Sequence, residues 1–184
     1  MAGGWSAGDY LGRPLRDLLD DVASGDPVPA AGSLIAVVGA LAAGLAATVA
    51  LRSTARLPDA HEIAERLDRL RALIEPLITA DAADYAEALG FSDRAERAAA
   101  IRAAAEGPVV VVEAVAEVAE IAAALAVEGN PNLRYDAAAA AQIAAAAAEV
   151  GAQLTEANVG EAEPFPRAQA AAQKARVAAD RTRA

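Results

Sequence analysis

The sequence predicts an all-α protein, a single-domain helical bundle of about six helices packed around one buried central helix. Three observations predict it. The 184 residues are 55% hydrophobic but only 3% aromatic, so alanine, valine and leucine must build the core; alanine is the best helix former and a poor strand former. Apolar residues recur at spacings of three and four along most of the chain, the period of an amphipathic helix. And the stretch PVPAAGSLIAVVGALAAGLAATVALRS, from Pro27 to Ser53, carries no charge before Arg52, as expected of a helix covered on every side. The length suits one domain spanning residues 1–184 with a sizeable core.

The elements follow in order. Asp9 is placed to cap a first helix, on which Leu11, Leu15, Leu18, Leu19 and Val22 share one face. GDPVP breaks it. A second helix runs from Ser33 to about Arg56. A third restarts at LPDAHE, with Pro58 just inside its beginning, and runs to Leu89. A fourth begins near Asp93 and is interrupted or kinked at Gly107-Pro108; Val109 to Val112 is read as helix, because no partner strand exists elsewhere. GNPN is a stop, a fifth helix spans about Leu133 to Asn158, and a last one runs from Arg167 to about Arg183.

The second helix has the length of a membrane span, nineteen uncharged residues from Ser33 to Leu51. Much of it is alanine and glycine, which insert weakly. No aromatic belt flanks it, and the flanking arginines lie on one side only. The expectation is therefore a soluble protein without a membrane partner, its central helix buried in a homodimer. Gly39, Ala43, Gly44 and Ala47 allow neighbouring helices a close approach. The opening MAGGWSAGDY shows no basic and apolar leader pattern, so the expected location is the cytoplasm.

Several functions are excluded. A formal net charge of -10 argues against nucleic-acid binding, which rewards clustered lysine and arginine. There is no cysteine and only one histidine, His61, in HEIAE; the second histidine of a zinc helix is replaced by Glu65, so no metal is expected. No nucleophile elbow or phosphate-binding glycine loop is present. Glu113, Glu117 and Glu120 read as a solvated face, and Arg167, Lys174, Arg176, Arg181 and Arg183 as surface charge on the last helix.

Two acids stand out because they continue apolar stripes. On the third helix Ile63, Leu67, Leu70, Ile74 and Leu77 lead to Asp81 and then Tyr85. A carboxylate on such a stripe acquires either a partner or a raised pKa. On the fifth helix Asp136 precedes the stripe Ala140, Ile143, Ala147, Val150, Leu154, and Asn158 follows it. Plainer readings stand beside these: Asp81 near solvent or bound to a backbone donor, Asp136 favouring the helix dipole, Asn130 and Asn132 building a turn, and Asn158 ending a helix.

The ordered set DPVPAAGS, a long Ala/Gly helix, DAADY, a kink at Pro108, GNPNLRYD and a late Asn158 resembles the cyclodeaminase/cyclohydrolase family. The resemblance spans nearly the whole chain. It implies an all-helical oligomeric enzyme that needs no metal or other cofactor and acts on the one-carbon unit of a tetrahydrofolate derivative. The reaction is either cyclisation of 5-formimino-tetrahydrofolate to 5,10-methenyl-tetrahydrofolate with release of ammonia, or hydrolysis of the methenyl compound. The alternative is a divergent member serving as a binding or assembly protein, or acting on another small molecule. Pro27, Pro29, Gly32 and Ser33 match the family's loop, with Ala30 and Ala31 in place of two glycines. Asp81 and Tyr85 match its acid and phenol; Gly129, Asn130, Asn132 and Asp136 match its second motif, with Tyr135 in place of a serine; Asn158 matches its late asparagine. The resemblance thus implies Asp81 and Asp136 as catalytic acids and Pro29, Gly32, Ser33, Tyr85, Asn130, Asn132 and Asn158 as substrate-binding residues. Arg52, Arg56 and Arg134 are candidate partners for the anionic glutamate tail of a folate.

Overall fold

A computed structural model describes residues 9–183; the amino-terminal MAGGWSAG, on which the expectation about a leader rests, lies outside them. The described chain contains seven α-helices: α1 (Leu15–Ala23), α2 (Ala31–Leu51), α3 (Ala60–Gly90), α4 (Arg94–Ala103), α5 (Glu106–Glu128), α6 (Arg134–Val159) and α7 (Phe165–Asp180). Short 3₁₀ turns cover Tyr10–Gly12, Pro131–Leu133 and Arg181–Arg183. The all-α expectation holds. The count exceeds six because the fourth expected helix is two: the break falls at Ala104-Ala105, and Pro108 sits in the first turn of α5, where its missing N–H has no intrahelical acceptor to lose.

α2 is the central element, packed against α3, α5 and α6; α7 closes the other side of α5 and α6. The core is almost wholly alanine and valine, with Leu67, Ile74 and Leu125 among the few large side chains fully enclosed. Small side chains fill space only if backbones come close. A side-chain carbon on Gly39 would lie 2.5 Å from Val115 Cγ1, and one on Gly151 would overlap Val112 and press on Ile35 Cδ1 at 2.9 Å. Those two glycines are where α5 and α6 approach α2.

Some local expectations need correction. Pro58 precedes α3 rather than lying within it, and α2 starts at Ala31 and ends at Leu51. Asp9 caps the 3₁₀ turn rather than a helix, accepting from the Leu11 N–H. The apolar face of α1 is not buried in this chain: Leu11, Leu15, Leu19 and Val22 are exposed, and only Leu18 is packed on the core. The stripe on α6 holds at Ala140, Ala147 and Leu154 but not at Ile143 and Val150, which are exposed, while Ala137, Ala141, Ala144, Ala148, Gly151 and Thr155 also face inward. Small inward side chains admit the closer helix contact, so these two bulkier ones are turned out.

Arg167 joins α7 to α5 through Glu113, at 3.0 and 2.9 Å, and Glu106, at 2.8 Å; Arg66 pairs with Glu117 across α3 and α5. These exposed pairs orient helices more than they stabilise them. Replacing Gly151 by leucine forces its side chain into Val112 and Ile35. The expected cost is about 1–3 kcal/mol, measured as a lowered urea midpoint with an unchanged slope.

Candidate functional site

The amino end of α2 lacks an ordinary cap. Ala30 occupies the N-cap position and offers no side-chain acceptor, so the first N–H groups of the helix need partners elsewhere. Asp81 supplies one from α3. Its carboxylate accepts from the Ser33 hydroxyl at 3.2 Å, and the nearby Ser33 main-chain N–H also favours its ionised form. Gly32 makes this approach possible, because a Cβ there would occupy the space of the Asp81 carboxylate itself. Of the loop positions that match the family motif, Gly32 therefore carries the steric requirement. Ala30 has extended backbone angles, φ -116 and ψ -163, which need no glycine.

Burial raises the Asp81 pKa above the ordinary value of 3.8, and nearby Asp84 adds to the rise; the two Ser33 hydrogen bonds oppose it without cancelling it. Asp81 thus holds its proton more readily than a surface aspartate, while hydrogen-bond donors keep the carboxylate accessible. A carboxyl group with a raised pKa is better matched to accepting and returning a proton than a surface aspartate.

Around it lies a pocket of about 60 Å³, lined by Gly32, Leu77, Asp81, Asp84, Tyr85, Ile101, Pro108 and Asn158 among others. α2, α3, α5 and the carboxyl end of α6 meet here. The structure therefore brings together Gly32, Ser33, Asp81, Tyr85 and Asn158, five of the nine residues singled out in the sequence. Pro29 is buried in the loop leading to them. Asp84 was missed. It lies three residues after Asp81, one helical turn away, and that spacing was the available signal.

The remaining residues are elsewhere. Asp136 is exposed at the amino end of α6, and Asn158 is at its carboxyl end. Twenty-two residues of continuous helix separate them by about 33 Å. Asn130 and Asn132 are beside Asp136, in a corner that has its own construction. Buried Ser53 accepts from the Asn130 N–H at 2.9 Å, and the Asn130 side chain donates to the Arg52 carbonyl at 3.0 Å while accepting from the Asn132 N–H. Gly129 lets the chain pass close to Ser53 Oγ. The turn-building reading of Asn130 is therefore fulfilled in this chain. Ser53, which ties α2 to the corner, was not anticipated. Arg52, Arg56 and Arg134 lie at this far end as well. Among the described residues, no three His, Asp or Glu side chains converge as metal ligands would.

Such an arrangement, a half-buried aspartate at a helix amino end with a second aspartate beside it in the pocket, defines an alanine-rich helical protein with an acidic site. The family model described as Formiminotransferase-cyclodeaminase matches residues 14–177; the chain belongs to this family. Among solved structures, the crystal structure of formiminotetrahydrofolate cyclodeaminase from Thermotoga maritima superimposes with a TM-score of 0.83 at 24% identity, covering 94% of this chain and 95% of that one. That likeness shows a shared fold. No curated protein matches the chain.

The raised Asp81 pKa has a stability consequence. Its folded value lies above its unfolded one, so the folded protein binds more protons within that interval, and stability falls as pH rises from about 3.8 through the raised native value. Urea unfolding over this range should show the decline in the parent protein. Asp81→Asn, which keeps an acceptor for Ser33 but cannot titrate, should lack that component of the decline.

Proposed function

We propose that the protein is an enzyme of folate one-carbon metabolism that cyclises 5-formimino-tetrahydrofolate to 5,10-methenyl-tetrahydrofolate and releases ammonia. The observation that carries this reading is Asp81: a half-buried acid with a raised pKa, held by Ser33 against Gly32 in a pocket with Tyr85 and Asn158, in a chain of this family. The reaction forms a bond from N10 of the folate to the formimino carbon and breaks the bond from that carbon to the terminal nitrogen. N10 must lose a proton, and the departing amine must gain one. An acid–base group beside both nitrogens can take the first and supply the second, and Asp81 is the group with the required protonation behaviour. Tyr85 and Asn158 offer hydrogen bonds that orient the substrate in the pocket.

In this reading the protein is cytoplasmic, works without a cofactor and is a homodimer. The uncharged α2, whose Leu34, Leu41 and Leu51 remain exposed in one chain, supports the dimer. Hydrolysis of 5,10-methenyl-tetrahydrofolate is the neighbouring chemistry in the same pocket, with water in place of ammonia.

Two spectroscopic assays separate the outcomes. With 5-formimino-tetrahydrofolate, the near-ultraviolet absorbance of the methenyl product should appear faster than in buffer, and Asp81→Asn should lower that rate about 100-fold or more while remaining folded. Accelerated loss of the same absorbance from added methenyl compound, without cyclisation activity, would assign the hydrolase instead. Neither activity in the parent would overturn the enzyme reading.

A further inference from the structure

We infer that Asp84 and Asp81 together form a seat for a planar amidinium cation, and that Asp84 selects the positively charged formimino group of the substrate over neutral one-carbon groups. The inference rests on the functional reading above and deepens it, because it names the charge state in which the pocket takes its ligand.

The first observation is an unbalanced charge. Asp81 and Asp84 stand one helical turn apart on α3 and both line the pocket. No lysine, arginine or histidine shares that lining. Neither aspartate enters an ion pair among the described residues. Other acids of the same helix are matched: Glu65 by Arg69, and Asp68 and Glu75 by Arg71. Asp84 is close enough to Asp81 to raise its pKa. A cation placed between the two carboxyl groups relieves that repulsion.

The second observation is the character of the walls. Leu77, Ile101 and Val111 close much of the cavity, and apolar walls strengthen the attraction between charges inside them. Half-buried Asp81 lies deeper, and exposed Asp84 stands toward solvent, where an entering group meets it. The helix starts at the pocket offer little to an anion. At α2 the Ser33 hydroxyl is already given to Asp81, and the first turn of α5 contains Pro108, which has no N–H to donate.

The third is size. The cavity holds about 60 Å³, and one water needs about 10–15 Å³ measured in this way. It therefore has room for a group of a few non-hydrogen atoms, such as the N–C–N unit of an amidine, and not for a whole folate. The pocket is dimensioned for the reacting end of the substrate.

The chemistry of that end supplies the charge. A formimino group on N5 is an amidine, a strong base that is protonated at neutral pH, with one positive charge shared between two nitrogens. Cyclisation conserves this charge. The proton of N10 leaves on the departing nitrogen as ammonia, and the N5–CH–N10 unit of the product keeps the single positive charge. An acidic seat therefore suits substrate and product alike. A formyl group of the same size is neutral and presents a carbonyl oxygen, which two carboxyl groups do not attract. Asp81 exchanges the proton, and Asp84 supplies the attraction.

Acetamidinium and acetamide have the same shape and differ in charge, so together they test the seat without any folate. Their methyl signals report binding by ligand-observed NMR at neutral pH and constant ionic strength. The parent should bind acetamidinium about tenfold or more tighter than acetamide. Asp84→Asn should weaken acetamidinium binding about tenfold, leave acetamide binding unchanged and leave the melting temperature unchanged, since Asp84 is exposed and unpaired among the described residues. Asp84→Glu should retain the preference for the cation. Equal binding of the two probes, binding of neither, or acetamidinium binding that survives Asp84→Asn overturns the proposal. So does displacement of acetamidinium by sodium or potassium at equal concentration, which would identify a metal-ion site.

Kinetics separates the two aspartates. In the cyclisation assay Asp84→Asn should raise KM about tenfold with kcat within about twofold of the parent, the signature of an interaction made equally in substrate and transition state; Asp81→Asn should lower kcat. An Asp84→Asn variant that loses kcat with an unchanged KM overturns the assignment. An inactive parent that still prefers acetamidinium defeats the functional reading and leaves the cation seat standing. An active parent that does not distinguish the probes defeats the seat and leaves the functional reading standing.

Discussion

Close approach of helix backbones is the constraint on which this structure depends. With aromatic residues at 3%, the core cannot be filled by large side chains, and alanine and valine fill it only where helices pack at short range. Gly39 and Gly151 mark two such contacts with α2, and Gly32 marks a third. The first two hold the bundle together. At the third, the space that a side chain would fill is occupied by a carboxylate. The packing that stabilises the fold therefore also produces the site.

Asp81 has two roles that share one geometry. It satisfies donors at the uncapped start of α2, a structural role with ample precedent in helix capping, and it is held partly desolvated with a raised pKa, a chemical one. The hydrogen bonds from Ser33 stabilise the ionised form and burial stabilises the neutral form. Burial is the larger effect, so the net result is a raised pKa at a group that still accepts from the Ser33 hydroxyl. A fully solvated aspartate would remain ionised, and a fully buried one without Ser33 would remain protonated.

Part of the exposed apolar surface forms one stretch, although Leu73, Val127, Tyr135, Ile143, Val150 and Val177 are exposed elsewhere. Leu34, Leu41, Leu51, Leu11 and Leu15 lie along α2 and the adjoining α1 segment, while the outer faces of α3, α5 and α7 carry paired charges such as Arg66–Glu117 and Arg167–Glu113. α1 contributes only Leu18 to the core, whereas α2 is enclosed by α3, α5 and α6 along most of its surface.

The sequence by itself determined the helical class, most helix boundaries to within a few residues, and the identity of Asp81 as an acid out of place. These are local properties: alanine propensity, apolar periodicity and proline or glycine punctuation act over a turn or two. It also made Asn130 legible as a turn residue, because an asparagine side chain bonds its own neighbours. Only the tertiary structure decided the rest. Which α6 residues face inward depended on how closely α5 could approach, so of the expected stripe Ala140, Ala147 and Leu154 face the core and Ile143 and Val150 do not. Why Gly32 must be glycine depended on a carboxylate forty-nine positions away in the chain. And residues that a linear motif placed side by side in function proved to sit at opposite ends of a rigid helix, since order along a chain carries no information about distance across a fold.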